Sequence, residues 1–248
     1  MSLSASAIIP ARYNSSRFPG KPLAEIDGVS MVIRVVRQAL AAHLDRVLVA
    51  TDDSRIYRHV QSHGFEAVMT RDDHNSGTER CQEAVMLAGV NSDIILNVQG
   101  DEPFIQPEQI HALLSIMSDT AADIGTLAIP VKHEDVLRNP NKVKVVKDVH
   151  GRALYFSRAC IPYQPNAPAG RWVSTHQYFK HVGMYAYRRA VLDKLVALPT
   201  GKLERAESLE QLRWMENGYT IYVGETGFES PAVDTPEDLE MAIQFIRR

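Results

Sequence analysis

The sequence predicts an α/β protein built on a mixed, mostly parallel sheet, and three observations predict it. Short apolar runs alternate with segments of helical period through the first hundred residues, the rhythm of βαβ units. Two extended runs, 142–147 and 152–157, flank Asp148-Val149-His150-Gly151 and predict an antiparallel β-hairpin that interrupts this rhythm. An acid, Asp101, follows the apolar run Ile94-Ile95-Leu96-Asn97-Val98, at the strand end where α/β proteins collect ligands.

Ala7-Ile8-Ile9-Pro10 is the first strand. Ala11 to Pro22 is a loop, because Pro19-Gly20 and Pro22 oppose a helix, and it carries three cations, Arg12, Arg17 and Lys21. Ser30 is the expected N-cap of a helix burying Val32, Val35, Val36, Ala39 and Leu40. A strand at 46–51, a helix at 54–63 and a strand at 65–70 follow. Cys81, Ala84, Val85 and Ala88 share one helical face, with Thr78 a candidate N-cap. Pro107 opens a helix whose stripe is Ile110, Leu113, Leu114 and Met117, and 124–131 is a strand. After the hairpin, 161–179 is rich in proline, glycine and polar residues and predicts a long exposed loop. A strand at 179–187, one helix at 206–217 ending at Gly218, and a strand at 219–223 complete this part. Thr235-Pro236-Glu237-Asp238 supplies an N-cap, a first-turn proline and early acids for a last helix with Leu239, Ala242, Ile243 and Ile246 on its stripe.

A chain of 248 residues can bury one core, or one core with a small satellite lobe, and no repeat or low-complexity linker divides it, so one domain over 1–248 is expected. The net charge of -3 leaves no electrostatic footprint for nucleic acid or a membrane surface, so an anion site must be a local cluster, as the first loop provides. Two cysteines are too few for a disulfide framework, no apolar run reaches membrane-spanning length, and the first residues lack a secretory pattern; a cytoplasmic setting is expected.

The acids and cations carry the chemistry. A carboxylate at the end of a core strand is costly unless something positive meets it, and a divalent metal carrying a phosphate is one such partner. Asp234, just before a helix start, is a second acid held in its ionised form by the dipole. The first loop can aim backbone N–H groups and cationic heads at one anion, although it lacks the Walker spacing. His181 and Tyr185 are four apart and share one face of a strand; Glu207, Glu210 and Gln211 share one helical face. Each feature also has a plain alternative: Asp101 a turn acid, the loop a solvated surface, Tyr185 a core residue, and 207–213 a solvated helix face.

In order along the chain, Ala11-Arg12-Tyr13-Asn14-Ser15-Ser16-Arg17-Phe18-Pro19-Gly20-Lys21-Pro22, Val49-Ala50-Thr51-Asp52-Asp53, His74-Asn75-Ser76-Gly77-Thr78-Glu79-Arg80, Asn97-Val98-Gln99-Gly100-Asp101-Glu102-Pro103, Asn139-Pro140-Asn141, Tyr155-Phe156-Ser157-Arg158, His181-Val182-Gly183-Met184-Tyr185-Ala186-Tyr187, Glu207-Ser208-Leu209-Glu210-Gln211-Leu212-Arg213 and Ala232-Val233-Asp234-Thr235-Pro236-Glu237-Asp238 form a set of blocks. This set resembles the sugar nucleotidyltransferases, and more closely the 3-deoxy-manno-octulosonate (Kdo) cytidylyltransferases, also called CMP-Kdo synthetases.

The resemblance implies a Rossmann-like three-layer nucleotidyltransferase fold with a hairpin excursion, and a smaller sugar-binding and dimerisation lobe within about 132–190. It implies that CTP and Kdo give CMP-Kdo and pyrophosphate for lipopolysaccharide biosynthesis, in a homodimer using Mg²⁺ held by Asp101 and Asp234. Pro10, Ala11, Arg12, Arg17, Lys21, Ser76, Gly77, Arg80 and Gln99 are then nucleotide-site residues, with Arg12 and Lys21 joining the two acids in catalysis. Gln99, Arg158, His181, Tyr185, Glu210 and Gln211 are sugar-site residues, and His181 is a secondary candidate for a general base. Ala159-Cys160 before Ile161-Pro162, and Asn14, depart from the family's usual pattern, which keeps 8-amino-Kdo or another ulosonic acid open as acceptor. A non-catalytic nucleotide-binding relative and a glycosyltransferase of similar fold are the competing classes. Cys160 reads as a packed small residue rather than a nucleophile.

Overall fold

Ala5–Ala11 is buried along nearly its whole length and forms β1, the strand around which the first part of the chain is organised. The computed structural model describes residues 3–14, 18–118, 122–229, 233 and 235–246, with Phe245 and Ile246 described by backbone alone, and contacts group the chain into two compact units, 1–111 with 230–248, and 112–229.

In the first unit, β1 leads through a loop and one 3₁₀ turn, Lys21–Leu23, to the small hairpin of β2 (Glu25–Ile26) and β3 (Val29–Ser30). Then α1 (Met31–Ala41), β4 (Arg46–Thr51), α2 (Ser54–Ser62), β5 (Glu66–Met69), α3 (Gly77–Leu87) and β6 (Ile94–Asn97) follow the alternation that periodicity predicts. β1 pairs in parallel with β4 on one side and β6 on the other, and β5 extends β4; Ile8 aligns with both Leu48 and Asn97. The strand order within this unit is therefore β6-β1-β4-β5. The chain works outward from β1 through β5 and returns to the far side of β1, so the loops leaving β1 and β6 diverge. Such a switch point opens a crevice at the carboxyl ends of the strands, where open α/β sheets bind ligands.

The local details differ from the sequence expectation in instructive ways. α1 buries Ile33 together with Val32, Val35, Val36 and Ala39, while Leu40 lies off the stripe and is exposed. Ser30 occupies the N-cap position without capping; its Oγ instead pairs with His59 Nε2 at 2.7 Å. Helix α3 is capped by Ser76, whose Oγ accepts from Glu79 N–H at 3.2 Å, so Thr78 is a buried helical residue and not the cap.

Gly100 sits where β1 and β6 end together. A Cβ there would lie 2.7 Å from the Pro10 carbonyl oxygen, a main-chain atom that cannot swing aside. Gly100→Ala is expected to destabilise the protein by about 1–3 kcal/mol, the usual cost of overpacking, and to lower turnover by prising the two strand ends apart. Urea unfolding checks this; an unchanged midpoint would show that the strand ends tolerate a methyl group.

Helix α4 (Pro107–Met117) straddles the division between the units. The 112–229 unit contains β7 (Ile124–Pro130), α5 (Glu134–Arg138), β8 (Lys144–Lys147), β9 (Ala153–Ser157), α6 (Trp172–Thr175), β10 (Phe179–Arg188), α7 (Arg189–Val196), α8 (Lys202–Glu207), α9 (Glu210–Glu216) and β11 (Ile221–Glu225). β7 is parallel to β11 and antiparallel to β10; β8 pairs antiparallel with β10 and with β9, which makes the predicted hairpin. Asp148 closes its turn by accepting the His150 and Arg152 N–H groups on Oδ1, both at 2.9 Å.

Two expectations are corrected here. The segment 161–179 is not simply an exposed loop: Trp172 and Tyr178 are buried in a small core with Val131 and Leu137, and the Tyr178 hydroxyl donates to the Pro162 carbonyl at 2.8 Å. Aromatic burial outweighs the polar composition that suggested solvation. The single helix expected at 206–217 is two, because Ser208 adopts a left-handed conformation (φ 52°, ψ 49°) that ends α8 and lets α9 start afresh.

The last helix, α10 (Pro236–Ile246), belongs to the first unit. Thr235 caps it as expected: its Oγ1 accepts from Asp238 N–H at 3.2 Å and its N–H donates to Asp238 Oδ2 at 3.0 Å. Ala242, with Leu239 and Ile243, packs on a cluster of Ile26, Met31, Phe104 and Val233; the side chain of Ile246 lies outside the described residues. This cluster joins the first loop's hairpin, the segment after Asp101 and the start of α10.

Candidate active site

At the switch point of the first unit, the costly strand-end acid has its positive partner. Lys21 is buried, and its Nζ donates to Asp101 Oδ2 at 2.7 Å across 80 positions of sequence. Gly20, at φ 75°, lets the loop turn so that its N–H reaches the Tyr13 carbonyl at 2.8 Å, which delivers Lys21 to the 3₁₀ turn facing Asp101. Arg12, just past β1, is exposed and has no hydrogen-bond or ion-pair partner among the described residues. Arg17 and Asp234 lie outside the described residues. Val233 is described, and its N–H donates to the Asp101 carbonyl at 3.3 Å.

Beside this ion pair, the α3 start approaches the same two strand ends. A Cβ on Gly77 would be 3.6 Å from both Pro10 Cγ and Asn97 Nδ2, so Pro10, Gly77 and Asn97 converge, and Gln99 Nε2 reaches Asn97 Oδ1 at 3.4 Å. Ala11 is buried at the end of β1 and Ser76 caps α3 next to this group. Arg80 stands apart from an open surface. It is 1% exposed, and its guanidinium donates to Asp52 Oδ2 (2.9 Å), Thr70 Oγ1 (2.5 Å) and the Arg71 carbonyl (3.1 Å), tying α3 to the ends of β4 and β5.

In the 112–229 unit, β10 carries His181 and Tyr185 with ring centroids 5.4 Å apart. The pairing with β7 shifts between Val182 and Tyr185: three steps along β10 match one step along β7, so two extra residues are accommodated and the side-chain parity survives. Thr126 fills the irregularity, its hydroxyl lying 2.9 Å from the Met184 carbonyl, 3.2 Å from the Val182 carbonyl and 2.9 Å from His181 Nε2. A hydroxyl has one proton. Donated to a carbonyl, it leaves Oγ1 to accept from Nε2–H, and Nδ1 is then the free acceptor of the ring.

Burial lowers the His181 pKa to about 3, while part of the residue still reaches solvent; the imidazole is neutral at pH 7 and too weak a base to drive proton transfer there. This argues for a hydrogen-bonding role over the base role. The Tyr185 hydroxyl is pushed well above its ordinary value by burial and by the nearby Glu210 charge.

Because the folded form resists protonation of His181 while the unfolded chain accepts a proton near pH 6.5, stability is full above that pH and declines as pH falls toward 3. Between pH 6.5 and 5, the wild type should lose up to about 1.4 kcal/mol per pH unit more than His181→Gln. Parallel unfolding curves for the two proteins over that range would refute the neutral, buried imidazole.

Glu210 opens α9 and accepts from Arg213 at 3.0 Å, and Gln211 is 5% exposed with no hydrogen-bond partner among the described residues. An amide withheld from protein partners suits a ligand. The break at Ser208 removes Glu207 from their face, correcting the expectation of one shared helical face. Arg158 is partly buried; its Nε donates to the Glu207 carbonyl (2.7 Å), and its terminal nitrogens to Pro140 (3.2 Å) and Ser208 (3.3 Å) carbonyls. Cys160 donates its thiol to the Leu137 carbonyl at 3.3 Å, in keeping with a packed residue. Sequence reasoning missed Asn97 and Thr126. Both are polar residues in otherwise apolar strands, which is the signal that could have found them.

Mg²⁺ prefers oxygen ligands and uses one or two carboxylates completed by phosphate and water. Asp101, partly exposed with its carboxylate already against a cation, has that donor chemistry. Among the described residues no group of three or more His, Cys, Asp or Glu is gathered.

With this geometry in view, the chain can be set beside known proteins. A family model described as cytidylyltransferase matches residues 6–221. A 3-deoxy-manno-octulosonate cytidylyltransferase of Parabacteroides distasonis is 50% identical over 243 residues, covering 96% of each chain. An 8-amino-3,8-dideoxy-manno-octulosonate cytidylyltransferase of Shewanella pealeana is 46% identical over 243 residues, covering 96% of this chain and 97% of its own. A solved structure of CMP:2-keto-3-deoxy-manno-octonic acid synthetase complexed with CTP superposes with a TM-score of 0.91 at 44% identity, covering 98% of both chains.

Proposed function

Since the chain belongs to the cytidylyltransferase family, we propose that it joins CTP to Kdo, giving CMP-Kdo and pyrophosphate for lipopolysaccharide biosynthesis. The observation that carries this reading is the Lys21–Asp101 pair at the β1/β6 switch point, with Arg12, which has no partner among the described residues, directly after β1. A cation cluster at that crevice suits a triphosphate, whose negative charge grows on the departing pyrophosphate.

In this reading Arg12, Arg17 and Lys21 bind the β- and γ-phosphates and stabilise the leaving charge. The α3 start at Ser76 and Gly77 lies against the base, where small residues let main-chain groups approach a cytosine edge. Gln99 borders both substrates. Tyr185, Glu210 and Gln211, with His181 in neutral form, hold the hydroxyls of the sugar acid and orient its anomeric hydroxyl for in-line attack on the α-phosphate. Arg158 frames that group through the carbonyls it holds and offers its remaining donors to the sugar. Mg²⁺, held by Asp101 and Asp234 with triphosphate oxygens, would supply charge neutralisation. A homodimer, a sugar-binding and dimerisation lobe within about 132–190, and a cytoplasmic setting belong to the same proposal and rest on the family resemblance. Among the described residues, no helix is long and apolar enough to cross a membrane.

A pyrophosphate-release assay with CTP and Kdo tests the reading, and no release at any Mg²⁺ concentration would sink it. The 46% identity to an enzyme named for the 8-amino acceptor favours a second reading on that acceptor. Comparing kcat/KM for Kdo and its 8-amino analogue decides between them.

A further inference from the structure

Lys144 is the most deeply buried cation of the 112–229 unit, with none of its surface exposed. Its Nζ donates to the carbonyls of Asn139 (3.0 Å), Lys142 (2.6 Å) and Arg158 (2.6 Å). Three carbonyls use all three ammonium hydrogens. Two of them lie on the turn before β8 and the third follows β9, while Lys144 itself stands opposite Ser157 in the β8–β9 pairing. From the other side, the Glu207 carboxylate accepts the Ser157 hydroxyl at 2.6 Å and the Arg158 N–H at 2.9 Å. Arg158 is thus held by its N–H, its carbonyl and its guanidinium, the last reaching the carbonyls of Pro140, Glu207 and Ser208.

We propose that Lys144 and Glu207 are positioning residues for the acceptor half of the reaction: by clamping the main chain on both sides of Arg158, they set where Arg158, Glu210 and Gln211 present their side chains. The proposal rests on the cytidylyltransferase reading above. A point charge with three donors gathers three main-chain oxygens in a way no apolar side chain can: without it the Lys142 and Arg158 carbonyls lose a short donor and Asn139 keeps only the Lys142 N–H at 3.1 Å. The turn at 139–142 then drifts from Arg158. The Glu207 carboxylate does the same for the residues that lead into Ser208 and the start of α9. Neither residue is among those assigned to CTP.

The experiment is a steady-state comparison of wild type, Lys144→Met and Glu207→Gln with CTP and Kdo, each variant first checked for cooperative unfolding. Since misplacement of a binding group by about 1 Å can cost on the order of 100-fold, the acceptor KM should rise by about 10- to 100-fold while the CTP KM stays within about twofold. A general loosening would lower the active fraction or raise both constants together, and that result overturns the clamp. So does an acceptor KM within about twofold of wild type in a folded variant. Should Lys144→Met fail to fold, Glu207→Gln decides alone, since it keeps the side-chain volume while removing the charge and one of the two oxygens that accept from Ser157 and Arg158. A wild type that releases no pyrophosphate from CTP and Kdo overturns the enzymatic reading and the clamp with it. An active wild type beside a folded variant of unchanged acceptor KM overturns the clamp alone.

Discussion

Asp101→Asn lowers kcat by about 100- to 1,000-fold at saturating CTP and Mg²⁺, the usual loss when a group aimed at developing charge is removed. The replacement is isosteric, and the bond from Val233 N–H to the residue 101 carbonyl involves only main chain, so the fold should persist, with the urea midpoint lowered only by the weakened Lys21 pair. What disappears is the negative charge that faces Lys21 at 2.7 Å and that the proposed Mg²⁺ needs. A neutral amide binds a hard dication poorly, so the Mg²⁺ concentration for half-maximal rate should rise as well. A variant with near-normal turnover at saturating Mg²⁺ would remove Asp101 from the metal site. It would also leave the Lys21 pair as a structural feature of the strand end.

Lys21→Met lowers kcat/KM for CTP by roughly 100-fold, because a buried ammonium aimed at the crevice is replaced by a neutral chain of similar length. Methionine keeps the packing of the stem in the 3₁₀ turn, so the effect isolates the charge. The KM for the sugar acid should move little, since Lys21 belongs to the first unit and its partner is Asp101. Initial rates across a matrix of both substrate concentrations separate these constants. A loss confined to the acceptor, or no loss at all, would mean that Lys21 serves Asp101 and not the triphosphate.

Much of this was legible in the sequence because it is local. The apolar runs at 7–10, 46–51 and 94–98 became the buried parallel strands Ala5–Ala11, Arg46–Thr51 and Ile94–Asn97, and the extended runs around Asp148 became a hairpin. The demand that something positive meet Asp101 could be stated from its position alone, although its partner could be identified only when Lys21 was seen against it. Less legible were features decided by distant contacts. Burial of Trp172 and Tyr178 folded a segment whose composition reads as solvated, and one left-handed residue, Ser208, split a segment whose periodicity reads as one helix. Arg80 and Arg158 illustrate the limit for side chains. The resemblance assigns Arg80 to the nucleotide and Arg158 to the sugar, and in the structure each is engaged by groups from other parts of the chain.

By itself the sequence determined the α/β class, the βαβ alternation of the first hundred residues, the hairpin around Asp148, and the ordered blocks that resemble the cytidylyltransferases, because periodicity, turn chemistry and motif spacing are carried by neighbouring residues. Only the tertiary structure decided the strand order that puts β1 beside β6, and with it which charges meet, which amide has no partner among the described residues and which imidazole is held neutral. Those outcomes depend on desolvation and on short-range pairing between residues far apart in the chain, quantities that exist only once the strands have chosen their neighbours.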